Sequence, residues 1–226
     1  MIDRSTSLIA ASNLEPLTHI VLNRYLTHEM RNDLTFDSLG SESIKDVQFV
    51  LDLINFCADP SERSVDRFGK YSIGVLLDYL RRTHEMYVTR VLPRMEMTVQ
   101  SVQQAFPEHP MVSVLNHFYQ NFQNELIEHI ELEENRLFPY AEALYDGKFM
   151  GNYSVKEFVR QHDHNVEDEV ERVMRLIAKD FPAVSASFAY RSFKHLLDEF
   201  RADLHVHHLI EEQVFLLKIK NLEDDR

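Results

Sequence analysis

The chain of 226 residues holds a single cysteine, Cys57, and no tryptophan. One cysteine excludes a disulfide framework, a cysteine-rich zinc site and a four-cysteine iron–sulfur cluster within one chain. Glycine and proline are also scarce, at 5 and 7 residues, so long segments run without a helix breaker. No apolar run is long enough to span a bilayer, and MIDRSTSLIAASNL lacks the long apolar core of a signal peptide; a cytoplasmic protein is expected. Positive charge is in deficit too. The formal net charge of -13 and pI of about 5.3 argue against nucleic acid or an anionic membrane as a main partner. What remains is the composition of a globular all-α protein, 44% hydrophobic and 27% charged, with an unusual 12 histidines.

Two stretches organise the histidines. ELIEHIELEENRLF, Glu125 to Phe138, and DLHVHHLIEEQVFL, Asp203 to Leu216, align at an offset of 78 residues. His129 falls on His207, Glu133 on Glu211, Glu134 on Glu212 and Leu137 on Phe215. Each stretch carries His-x-x-x-Glu, which a helix places one turn apart on one face. That face is apolar: Phe118, Phe122, Leu126, His129, Glu133, Leu137 in the first stretch, and Phe200, Leu204, His207, Glu211, Phe215 in the second. A charged carboxylate on a core face is costly unless it is paired or binds a metal.

Residues 1–68 read as a small helical N-terminal domain. SLIAASNLEPLTHIVLNRYL gives short helices around Pro16, and SLGSESIKDVQFVLDLINFC another, with Ser41 or Ser43 as N-cap. The polar segment Ala58 to Lys70 is the expected linker, and Cys57 is read as a buried small hydrophobe. Residues 69–220 then read as four long helices, about Tyr71–Gln104, Met111–Tyr145 with Pro139 kinking or ending its main body, Ser154–Ala178 and Ser185–Lys218, followed by a frayed acidic tail. Short connections between four long helices make an up-down-up-down bundle.

The other two helices carry a matching pair. His84 and His162 are also 78 residues apart, and each is followed by an acid. The inward face of the first helix runs Ile73, Leu77, Leu80, His84, Val88, Val91. Counting along the helices from the FPEHP and KDFPA breaks, the four imidazoles come within about 5 to 10 Å of one level, at about 1.5 Å per residue. His84, His129, His162 and His207 with Glu133 and Glu211 therefore form a candidate two-metal site. Imidazole and carboxylate donors without thiolate fit Fe or Mn ahead of Zn, Ni and Cu. Six protein ligands over two ions leave positions for an oxo bridge, water, O2 or NO.

A lone inward histidine is more often a satisfied core residue than a ligand. Four at matched spacing, two of them with Glu at i+4, favour the metal. His208 with Glu212 misses the apolar stripe and reads as solvated, and His164 loses to His162 on register. His205, His117, His109 and His195 read as surface or loop residues, with His109 a weak second candidate near the site. Tyr87 and Tyr119 read as core filling, and the acidic runs as solvated faces.

The series His84, HIELE, QHDH and HHLIE resembles the hemerythrin-like family over residues 71–218. The resemblance implies a four-helix bundle holding a non-haem di-iron centre, oxo- and carboxylate-bridged. A set of four His and two Glu is more similar to the iron–sulfur cluster repair branch than to the oxygen carriers. In that branch a small helical domain with adjacent cysteines precedes the bundle; here Thr27 to Asp33 follows VLNRYL and has none. The implied function is a response to nitrosative or oxidative stress by iron donation to damaged iron–sulfur proteins or by NO reduction. Two alternatives come from other classes: a module that binds O2 or NO and signals to a partner, and a metal-free helical interaction domain.

Overall fold

In the computed structural model, residues 2–26, 34–39, 46–148, 154–156, 158 and 167–225 are described. They are helical apart from turns and one isolated bridge between Ser7 and Thr35. The all-α class expected from the scarcity of breakers is observed. No helix among the described residues is long and apolar enough to cross a membrane.

In chain order the helices are α1 Leu8–Leu14, α2 Thr18–Asn23, α3 Val47–Cys57, α4 Glu62–Val65 and α5 Ile73–Met86. They continue with α6 Leu92–Ala105, α7 Pro110–Leu132, α8 Phe138–Tyr145 and α9 Glu167–Asp180. The last are α10 Pro182–Ser185, α11 Phe188–Ile210 and α12 Leu216–Asp224. Three π-helical turns, Tyr87–Val91, Glu133–Leu137 and Glu211–Phe215, splice α5 to α6, α7 to α8 and α11 to α12.

The π turn after α5 shifts one of the expected faces. A π turn takes one extra residue, so the face beyond it rotates by about one helical position. His84 is buried as expected, but Val88 is exposed, and the core continues through Tyr87, Leu92, Met95, Val99 and Val102. On α7 the fully buried aromatic is Tyr119, whereas Phe118 and Leu126 are half-buried. The α11 face holds without change: Phe200, Leu204, His207, Glu211 and Phe215 are all buried. Pro139 does not end its helix. The π turn directly before it provides the local adjustment that a missing amide N–H demands, and α8 runs on to Tyr145.

The chain divides into two compact units: Met1–Thr83 with Tyr140–Val155 and Ala202–Arg226, and His84–Pro139 with Lys156–Arg201. The first unit is cored by Leu8, Val21, Leu22, Phe36, Phe49, Ile54 and Phe56. The segment expected as a linker contributes to that core. It folds into α4 and a 3-10 turn, Asp66–Lys70, and its Phe68 is fully buried, with ring centroids 5.5 Å from Phe49 and 5.2 Å from Phe56. The apolar Val65 and Phe68 outweigh the polar residues around them, because burial of one Phe contributes about 1.5–3 kcal/mol. The N-cap of α3 is Asp46, which accepts from the amides of Gln48 and Phe49; Ser41 and Ser43 lie outside the described residues. Nor is the acidic tail frayed. It is helical through Asp224, and Glu223 accepts hydrogen bonds from Tyr140 Oη and from the Val155 amide. Cys57 is buried, and burial pushes its thiol well above the usual range.

Asp52 on α3 ties this unit together. Although burial opposes its charge, hydrogen bonds from Lys70 Nζ at 2.7 Å, Tyr71 Oη at 2.7 Å and Gln48 Nε2 at 3.0 Å hold its carboxyl below the ordinary value. A carboxylate with a lowered folded-state pKa adds stability above its unfolded pKa of about 3.9, and that stability is lost as pH falls through the folded value. Asp52→Asn is therefore expected to destabilise the protein at pH 7 but to converge with the parent below about pH 3. Urea unfolding at the two pH values checks this.

The second unit packs α6, α7, α9 and the first part of α11. Tyr87 and Phe122 both stack edge-on against Phe200, with ring centroids at 5.0 and 5.7 Å. Buried hydroxyls are satisfied by main chain: Tyr119 Oη donates to Leu92 O and Tyr190 Oη to Met174 O, each at 2.8 Å.

Candidate metal centre

His84, in the last turn of α5, belongs to the second unit and is 3% exposed, and the π turn after α7 opens on Glu133, which is fully buried. His84 Nε2 lies 3.0 Å from Glu133 Oε2, and His129 Nε2 lies 3.1 Å from Glu133 Oε1. One buried carboxylate is thus flanked on both oxygens by imidazoles. The i,i+4 relation of His129 to Glu133 is the one that the sequence spacing requires.

His84 makes a second contact. Its Nδ1–H donates to Glu134 Oε1 at 2.9 Å, and its ring stacks on Phe138 at 5.3 Å between centroids. Burial opposes a charge on this imidazole, yet the hydrogen bonds to Glu133 and Glu134 outweigh it and raise the pKa above the ordinary value. Glu134 stands in a run of acids that reads as a solvated face, and its side chain is indeed one-third exposed. Sequence alone held one signal for it: the same 78-residue register that aligns Glu133 with Glu211 aligns Glu134 with Glu212. Its role is to fix the His84 ring so that Nε2 points at Glu133.

In the first unit, the π turn after α11 opens on Glu211 at the register position of Glu133. His207 and Glu211 are each 1% exposed, and His207 Nε2 lies 3.4 Å from Glu211 Oε2. Both carboxylates therefore sit at the first residue of a π turn, a feature often built at functional sites. His162 and its rival His164 lie outside the described residues. Of the other histidines, His117, His195 and His205 are exposed and His208 is half-buried. His109 packs edge-on against Phe181 at 4.7 Å.

Buried His and Glu side chains that could hold a metal ion are present, His84, Glu133 and His207 among them. The spacing fits. Two donors each about 2.1 Å from one ion and at right angles to it stand about 3.0 Å apart, close to the 3.0, 3.1 and 3.4 Å of the three His–Glu pairs. The donors are nitrogen and oxygen only, since Cys57 is remote in sequence from both π turns and its thiol is held protonated.

No known family model matches the chain, and no curated protein matches it.

Glu134→Gln keeps the shape of the side chain but removes the charge that orients His84. Second-layer changes of this kind lower metal affinity by about 10- to 100-fold. Titration of the purified chain with Co(II) should show that loss with little change in thermal stability, because Glu134 is partly solvated.

Proposed function

We propose that the two His–Glu sets are halves of one two-ion centre in a hemerythrin-like four-helix bundle, with iron as the metal. Glu133, Glu211, His84, His129, His162 and His207 would hold the ions. The observation that carries this reading is the fully buried Glu133 with an imidazole on each oxygen. The 78-residue repeat, which sets both carboxylates at the start of a π turn, supports a second equivalent half. Bound iron would supply open coordination positions and a change of oxidation state, which none of the side chains offers.

The residues themselves bind, orient and exclude water. Glu134 contacts His84 Nδ1 and so orients the ring with Nε2 toward Glu133. Phe138 covers the His84 ring, and the buried Leu137 and Phe215 end the two π turns on the core side, so bulk water is kept from the carboxylates. In this setting the activity is that implied by the family resemblance: iron donation to damaged iron–sulfur proteins or NO reduction under nitrosative or oxidative stress. A chain so organised acts without the adjacent cysteines, because its single cysteine is buried and its thiol protonated.

The test is anaerobic reconstitution with Fe(II), elemental analysis and exposure to NO. About two Fe per chain with steady NO consumption, or reactivation of an apo iron–sulfur enzyme, supports the proposal. Two Fe per chain with reversible O2 or NO binding and no turnover moves the function to a sensing module. No iron retained, together with normal stability of His129→Ala/His207→Ala, leaves a metal-free helical interaction domain.

A further inference from the structure

A buried polar assembly in the first unit reaches His207 from the N-terminal helices. Arg24, at the C-terminal cap of α2, is 6% exposed, and its Nη2 forms an ion pair with Asp203, which is 1% exposed. Asp203 stands four residues before His207 on α11, one turn away on the same face. The Arg24 guanidinium also lies over the ring of Tyr79, 5.5 Å from its centroid. On α5, Tyr79 is fully buried, and its ring lies 6.3 Å from that of His207 at an interplanar angle of 48°. Arg82 Nη1 donates to the Arg24 carbonyl and its guanidinium covers Tyr25 at 5.3 Å, so the end of α2 is fastened on its backbone as well.

A buried arginine–carboxylate pair is a poor source of stability, since desolvation of both charges offsets most of their attraction. An apolar pair would fill the same space. What the guanidinium provides is direction: its Nη2 meets Asp203 while its Cζ lies over the Tyr79 ring, a placement that a planar, delocalised cation holds better than a compact ammonium. The Tyr79 hydroxyl has no hydrogen-bond partner among the described residues. Burial keeps that phenol protonated, its pKa held well above the ordinary value.

We infer that Arg24 is a positioning residue for His207, and that through Asp203 and Tyr79 it links ion binding at the His207–Glu211 pair to the packing of α2. This rests on the reading of that pair as metal ligands. Linkage is reciprocal: if the seating of α2 favours the ligating position of His207, an ion on His207 must favour the seating of α2. The N-terminal helices would then respond to occupancy of the second half of the centre.

The experiment uses the full chain and Co(II) as a spectroscopic probe under anaerobic conditions. Its variants are Arg24→Lys and the charge-neutral pair Arg24→Met/Asp203→Asn, which leaves no buried charge unmatched and so guards against failure to fold. In the parent, Co(II) is expected to slow amide hydrogen exchange across residues 18–25 by at least about threefold. In both variants the affinity for one of two Co(II) ions should fall about tenfold, with an altered visible spectrum and no ion-dependent protection of residues 18–25. Variants that bind both ions with parental affinity and spectrum, or that keep the protection, overturn the inference alone. A parent that binds no Co(II) overturns the metal reading and this inference together.

Discussion

Glu133→Gln should abolish tight metal binding and lower the stability of the metal-free protein as well. Glu133 is fully buried between His84 and His129. A neutral amide of the same shape avoids the desolvation cost of the carboxylate, but it removes the partner that favours charge on the buried His84, so the metal-free protein also loses stability. The ion-bound protein loses an anionic donor that a carboxamide cannot replace at a two-ion centre. Affinity should drop about 100-fold or more, beyond the range seen for residues that act only through a ligand. Stabilisation by the ion falls with it: about 2.7 kcal/mol at an ion concentration 100 times the dissociation constant in the parent, and close to zero in the variant. Thermal melts of both proteins with and without Fe(II) or Co(II) read all four corners of this cycle. A variant that binds ions like the parent would make Glu133 a structural residue.

Phe49→Ala should cost about 3–5 kcal/mol, a large part of the stability of a domain this size. Phe49 is 1% exposed and lies at the centre of an aromatic group, with ring centroids 5.5 Å from Phe68, 5.0 Å from Tyr71 and 5.5 Å from Tyr79. Edge-to-face pairs contribute about 0.5–1.5 kcal/mol each beyond area burial, and the cavity left by the ring adds to their loss. Leu14 on α1 is the matched control. It is 68% exposed, and Leu14→Ala should change stability by no more than about 0.5 kcal/mol. Urea unfolding of the two variants distinguishes a packed N-terminal region from one that contributes little to the cooperative fold.

Much of the helical fold was legible in the sequence because breakers are few and apolar spacing is regular. Ile73, Leu77, Leu80 and His84 on the first long helix, and Phe200 through Phe215 on the last, are buried as their period requires. The burial of Glu133 and Glu211 was legible for the same reason, since each occupies a core position in an otherwise apolar stripe. Side-chain periodicity carries that information locally, within a few turns of one helix.

Where neighbours decide, the pattern was silent. A π turn leaves no mark in composition: the core passes from Tyr87 to Leu92 with Val88 exposed, across the extra residue of the turn Tyr87–Val91. Phe68 turned a polar segment into packed helix because its ring meets those of Phe49 and Phe56, contacts that the polar composition of residues 58–70 does not announce. Glu134 is an ordinary surface acid until His84, 50 residues earlier in the chain, meets it at 2.9 Å. Arg24 and Asp203 are separated by 179 residues, and nothing local to either distinguishes it from a solvated charge. The amino-acid sequence by itself determined which helix faces are apolar and which ionisable side chains they bury. Only the tertiary structure decided what those side chains meet, because hydrogen bonds and ion pairs depend on distances of about 3 Å that are set by the packing of segments remote in sequence.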